Sequence, residues 1–243
     1  MTRFQSSAIE EIKQALENGE VSLQGQFLFG SNYTFLVTVK YAGQEVPAVY
    51  KPMRGEQSLW DFPAASLAGR EVAAYLVSEA LGFGFVPLTI LRDGPFGPGS
   101  LQQYIEHNPN LHYFTFKPAD RQRLRPAALF DLLVNNADRK GGHILLQKRT
   151  RKLTLIDHGL CFHAEDKLRT VIWDFAGEDM PPELISALET FRSLLHLSLS
   201  ADLQPYLTPE EIAALNARTE ALLASPVFPL PPEDRRSFPY PPV

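Results

Sequence analysis

The chain has 243 residues, 44% of them hydrophobic and 21% charged, proportions of a globular protein with room for one large domain or two small ones. Its 23 Lys and Arg against 28 Asp and Glu leave a net charge of −5, which argues against nucleic acid as a partner. No apolar run reaches the ~18 residues of a membrane span, the polar N-terminal stretch is unlike a secretory signal, and a single cysteine, Cys161, excludes an internal disulfide. A cytoplasmic protein with no stable membrane insertion is expected.

In chain order, Ile9, Ile12, Ala15 and Leu16 recur at helical spacing, and Asn18-Gly19 ends that helix. The period then changes to two. Val21 to Phe29 and Tyr33 to Val39 alternate apolar with polar residues around the turn Gly30-Ser31-Asn32, and Ala42-Gly43 leads into a third strand, Glu45 to Lys51. Residues 52–65 read as a loop, and Ser66 as the cap of a helix reaching Leu81. Val86–Leu91 and Ser100–Glu106 read as two more strands, separated by the turn residues Asp93 to Gly99.

After about 107 the texture becomes helical: Pro118 to Asn136, then 183–199 and 208–224. Two short strands, His143–Gln147 and Leu153–Ile156, flank the basic turn Lys148–Lys152. The last stretch, Ser225–Val243, holds seven prolines in 19 residues and reads as extended or disordered. The boundaries expected are an N-terminal lobe over 1–106, a C-terminal lobe over 107–225 and a Pro-rich tail over 226–243.

Two aspartates draw attention. Asp138 follows a helix and precedes a strand, and Asp157 ends the next strand before His158-Gly159. Carboxylates so placed suit phosphoryl transfer, one orienting the attacking hydroxyl and the other holding the metal on the phosphates. Taken alone, they are equally compatible with loop aspartates paired to Arg139 or Lys140. Upstream, Lys51 ends a buried-looking strand, where a lysine is expensive unless paired, and Glu71 lies 20 residues on in the next helix. The order Lys, helix Glu, Asp, Asp-x-Gly is the device with which protein kinases grip ATP.

These residues carry a resemblance. The chain resembles the kinase-like superfamily of phosphatidylinositol 3-/4-kinases and HipA-type kinases over roughly residues 20–200, and looks most like a bacterial phosphatidylinositol-kinase-like family. Asp138-Arg139 resembles the start of the catalytic loop, Asp157-His158-Gly159 the Asp-Phe-Gly element, and Lys51 with Glu71 the phosphate lysine and its partner. The resemblance implies a two-lobed α+β protein-kinase-like fold, with an antiparallel-sheet N-lobe and a mainly helical C-lobe. It implies ATP and Mg²⁺ or Mn²⁺ as cofactors and an unidentified hydroxyl acceptor, whether protein, small molecule or lipid.

Within that reading Asp138 is the catalytic aspartate and Lys140 reaches the transferred phosphate. Gly30, Ser31 and Asn32 cradle phosphate, while Gln103, Tyr104 and Ile105 form the inter-lobe linker and line the adenine pocket. Asp157 is the principal metal ligand. His143 stands five residues after Asp138, where the lipid kinases carry Asn; as second ligand it suits Mn²⁺ better than Mg²⁺. Otherwise Asn135 or Asn136 substitutes, or transfer is impaired. The alternatives are a pseudokinase that binds nucleotide or a partner without transfer, and a nucleotidyl-transferring enzyme.

Overall fold

The computed structural model describes residues 3–27, 33–57 and 59–243, with the side chains of 3–7 left aside. The turn Gly30-Ser31-Asn32 lies outside the described residues. Two compact units are present: Met1–Val72 with Pro87–Ile105, and Ala73–Val86 with Glu106–Val243.

The first unit opens with α1 (Arg3–Asn18), then β1 (Glu20–Gln26), β2 (Phe35–Tyr41) and β3 (Gln44–Pro52). The expected meander is there, and β5 (Gly97–Gln103) and β4 (Thr89–Gly94) extend it into one antiparallel sheet of order β1-β2-β3-β5-β4. Ala42 and Gly43 both have positive φ, the backbone of a two-residue hairpin turn. β1 is an edge strand, and a register shift between Leu23 and Gly25 interrupts its pairing. Leu23 and Phe27 are consequently exposed, where strict alternation had them facing a core.

α1 buries Ala15 and Leu16, and Arg92 of β4 donates to the Leu16 and Gly19 carbonyls at its C-terminal end. Gly19 is required there: an added Cβ would meet Val39 Cγ1 and lie 2.7 Å from the Ala15 carbonyl oxygen. The long turn expected over Asp93 to Gly99 is instead strand on both sides, Gly94 pairing with Gly97 across Pro95-Phe96.

α2 (Leu67–Ala80) is capped, but not by Ser66. The Ser66 hydroxyl donates to the Pro63 carbonyl at 2.7 Å and accepts from Arg70 Nε. The first helical N–H groups, of Leu67 and Ala68, donate instead to the Glu56 carboxylate at 3.2 and 2.9 Å. Eleven residues of separation hid that cap from local reading.

In the second unit, Ala73, Ala74 and Val77 of α2 pack in one core with Leu129, Phe130 and Leu133 of α4 (Arg125–Val134). The helix expected from Pro118 to Asn136 is two, α3 (Pro118–Gln122) and α4, broken where Pro126 cannot donate a helical bond. α4 ends at Asn135, which takes the left-handed conformation an asparagine tolerates. A two-stranded ribbon follows, β6 (Ile144–Leu146) and β7 (Leu153–Leu155).

α5 (Pro182–Leu194) runs through a π-helical turn, Leu195–Leu199, into α6 (Ser200–Leu203). α7 (Pro209–Ala224) starts on a capping box between Thr208 and Glu211. The Pro-rich tail is ordered and extended against this unit: Phe228 is buried, and Ser237 and Pro242 carbonyls accept from Thr170 and Gly141 N–H. No helix among the described residues is long and apolar enough to cross a membrane.

The cap on α2 is directly testable. Glu56→Ala should lower stability by about 1 kcal/mol, read as a smaller urea midpoint at constant slope. Ser66→Ala should cost clearly less; a larger loss at Ser66 than at Glu56 would reassign the cap.

Candidate active site

In the first unit, Lys51 sits next to last in β3, opposite Ser100 of β5. Its ammonium donates to Glu71 Oε1 of α2, and the Glu71 side chain is only 3% exposed. A carboxylate so buried needs a cation, and Lys51 supplies it while staying partly open to solvent. Gln103 and Tyr104 end the same sheet, and their N–H groups donate to the Leu88 and Pro47 carbonyls. A base edge read there would therefore meet carbonyls or side chains rather than those two donors.

In the second unit the chemistry concentrates on two loops. The β6–β7 ribbon pairs Ile144 with Leu155, and beyond that pair Ile156 N–H donates to the His143 carbonyl. The open end of the ribbon thus sets His143 beside Asp157, with Nε2 and Oδ2 3.2 Å apart. Asp157 has φ +62°, a left-handed backbone that aspartate tolerates better than most non-glycine residues. Its carboxylate remains half exposed.

Asp138 lies just beyond α4, its N–H held by Asn136 Oδ1 at 2.9 Å. Lys140 Nζ stands 3.2 Å from Asp138 Oδ2. Burial pushes the Asp138 carboxyl up to about 6, Lys140 opposes that rise, and the nearby Asp157 charge adds to it. Arg139, the other partner weighed for Asp138, turns inward.

Arg139 is fully buried and pairs with Asp131 of α4, Nε lying 3.0 and 3.1 Å from the two carboxylate oxygens. Its other nitrogens donate to the Ile156 carbonyl and to His158 Nε2, both at 2.8 Å. Arginine only donates, so His158 Nε2 is the lone-pair nitrogen. Asp131 also accepts from the Thr170 hydroxyl and the Asn136 amide. One guanidinium therefore ties α4 and the Asp138 loop to the residues on both sides of Asp157. Asp131 escaped the sequence reading, and His158 entered it only as the middle residue of Asp157-His158-Gly159. The available signal was a carboxylate among Leu129, Leu132 and Leu133, a position too costly for an unpaired charge.

The asparagine substitutes for His143 are both occupied. Asn135 donates to the His163 and Glu165 carbonyls and accepts from Lys167 N–H. Asn136 bonds Asp131 and Asp138 N–H. Among the described residues no group of three or more His, Cys, Asp or Glu could hold a metal ion by itself. His143 and Asp157 together would offer a divalent cation one imidazole nitrogen and one carboxylate, a donor set that suits Mn²⁺, with water and phosphate oxygens completing its shell.

No family model matches the chain. A protein of Mycobacterium tuberculosis, Rv2133c, is 38% identical over 261 aligned positions, covering 93% of each chain. Phosphatidylinositol 4-kinase gamma 4 of Arabidopsis thaliana is 30% identical over 150 positions, covering 51% of this chain and 26% of its own length. The chain thus spans about a quarter of that kinase. Among solved structures, the proinflammatory kinase CtkA of Helicobacter pylori superposes with a TM-score of 0.51 at 12% identity, over 87% of this chain and 94% of its own. The fold is therefore kinase-like.

The raised Asp138 carboxyl has a consequence for stability. Its folded value, about 6, lies above the ~3.9 of an unfolded aspartate, so the folded state holds the proton more tightly. Its contribution is most favourable below pH ~4 and is lost as pH rises to about 6. In the metal-free protein, Asp138→Asn should be more stable than wild type at pH 7, by on the order of 2 kcal/mol, with the gap closing toward pH 4. A gap independent of pH in urea unfolding would contradict this electrostatic assignment.

Proposed function

As a member of the family of the M. tuberculosis protein Rv2133c, within the kinase-like superfamily, the chain is, we propose, an ATP-dependent phosphotransferase acting on a hydroxyl acceptor. The observation that carries this reading is the convergence of His143 and Asp157 at the end of one ribbon, locked by Arg139 to the loop that bears Asp138. The Lys51–Glu71 pair supports it independently.

Each residue has a distinct task. Lys51, fixed by Glu71, grips phosphate of ATP. Asp157 and His143 would hold a divalent metal, which supplies charge neutralisation on the phosphates. Asp138 orients the acceptor hydroxyl and takes its proton as the new O–P bond forms. The bond from the γ-phosphorus to the bridging oxygen breaks, and ADP leaves with the electron pair. Lys140, beside Asp138, offsets charge on the phosphoryl group in flight and keeps enough of Asp138 ionised near neutral pH. Turnover should accordingly fall as pH drops below about 6.

Calorimetry with Mn·ATP and Mg·ATP separates these roles. Asp157→Ala should abolish metal-dependent nucleotide binding, whereas Asp138→Ala should retain binding within a few-fold and lose at least 100-fold in turnover. His143→Asn should move the metal preference from Mn²⁺ toward Mg²⁺. Equal loss of binding in Asp138→Ala and Asp157→Ala would refute the division of labour. Mass analysis of products identifies the transferred group: ADP marks a kinase, and pyrophosphate would mark nucleotidyl transfer instead.

A further inference from the structure

The tail that sequence reading leaves without a role builds one wall of a cavity of about 550 Å³ in the second unit. The opposite wall is Tyr113, Phe114 and Arg121, and the tail contributes Arg236, Tyr240 and Pro242. The cavity abuts the loop that carries Asp138. Gly141 N–H donates to the Pro242 carbonyl at 2.8 Å, and a Cβ on Gly141 would stand 2.8 Å from the Phe114 ring. Gly141 follows Lys140, whose ammonium reaches Asp138. The tail is fixed in place, since the Ser237 carbonyl accepts from both Thr170 N–H and Trp173 Nε1, at 3.1 and 3.2 Å.

The chemistry of the rim is specific. Arg121 lies over the Tyr113 ring at 4.7 Å and Arg236 over the Tyr240 ring at 5.2 Å. A guanidinium stacked on a ring keeps its N–H edges free to face an anion in its own plane. Among the described residues Arg121 has one ion pair, a loose one 3.8 Å from Asp174, which is itself occupied by the Tyr113 hydroxyl at 2.6 Å. Arg236 donates Nε to the Phe238 carbonyl and shows no ion pair among the described residues. The volume is that of a small-molecule site, and the walls are aromatic with cationic edges.

We infer that this cavity is the acceptor subsite, and that it takes a small soluble hydroxyl compound carrying a phosphate or carboxylate group on an apolar body. The inference rests on the phosphotransferase reading for the word acceptor; the anion selectivity rests on the cavity alone. Phenyl phosphate is the probe, and Trp173 is the reporter, because its indole bonds the tail next to Arg236. The chain has two tryptophans, so Trp60→Phe leaves Trp173 as the only tryptophan, excited selectively at the red edge where the eight tyrosines do not absorb.

In that background phenyl phosphate should change the fluorescence saturably, and phenol should not. Arg236→Gln and Arg121→Gln should each weaken phenyl phosphate at least fivefold while leaving the thermal shift produced by Mn·ATP intact. Affinity unchanged in both variants, no saturable response in wild type, or a response only to vesicles containing phosphatidic acid would overturn the inference. A missing Mn·ATP shift in wild type would instead remove the phosphotransferase reading, while the fluorescence titration still decides whether the cavity selects anions.

Discussion

The buried pair Asp131–Arg139 is the interaction on which the placement of Asp138 and Asp157 depends. Both side chains are fully withdrawn from solvent, and the carboxylate accepts from three different residues. Such a pair gains little net stability over apolar side chains of the same size, but losing one partner costs about 3–5 kcal/mol because the other charge is stranded. What it contributes is geometry. Arg139 follows Asp138 in sequence, and its remaining donors clasp the carbonyl before Asp157 and the imidazole after it. The carboxylates of Asp138 and Asp157, on separate loops, are thereby referred to one rigid point in α4.

That arrangement explains why neighbours in sequence behave so differently. Asp138 and Arg139 point to opposite environments, one toward Lys140 and partial solvent, the other into the core. With Arg139 turned inward, Lys140 beside Asp138 and the charge of Arg169 are its counter-charges, and burial outweighs them, so its carboxyl is raised. The left-handed backbone at Asp157 is carried by the same clasp. Comparable logic holds in the first unit, where the nearly inaccessible Glu71 fixes Lys51. In each case a buried group fixes the position of a partly exposed one.

Much of this was legible in the sequence because its causes are local. Period-two alternation located β2 and β3, the Ala42-Gly43 turn joined them, and the spacing of Lys51, Glu71, Asp138 and Asp157 set out the order of charged groups. What failed was non-local. The cap of α2 comes from Glu56, which no short-range motif links to Leu67. The exposure of Leu23 and Phe27 follows from β1 being an edge strand, a property of sheet order. Proline content made the tail read as extended or disordered; it is extended, and backbone carbonyls at Ser237 and Pro242 rather than side-chain patterns dock it. Asp131 was detectable in principle as a charge in an apolar stripe, but its partner could be named only from the fold.

Arg139 holds the residues on both sides of Asp157, through the Ile156 carbonyl and His158 Nε2 rather than through Asp157 or His143, so it should set the geometry of the proposed metal-nucleotide site indirectly. Electron paramagnetic resonance of Mn²⁺ in the presence of ATP tests that claim in Arg139→Met, at a temperature where circular dichroism shows the variant folded. The expected result is an at least tenfold loss of Mn²⁺ affinity although Asp157 and His143 are both retained. Wild-type affinity and an unchanged Mn²⁺ spectrum in the folded variant would contradict it.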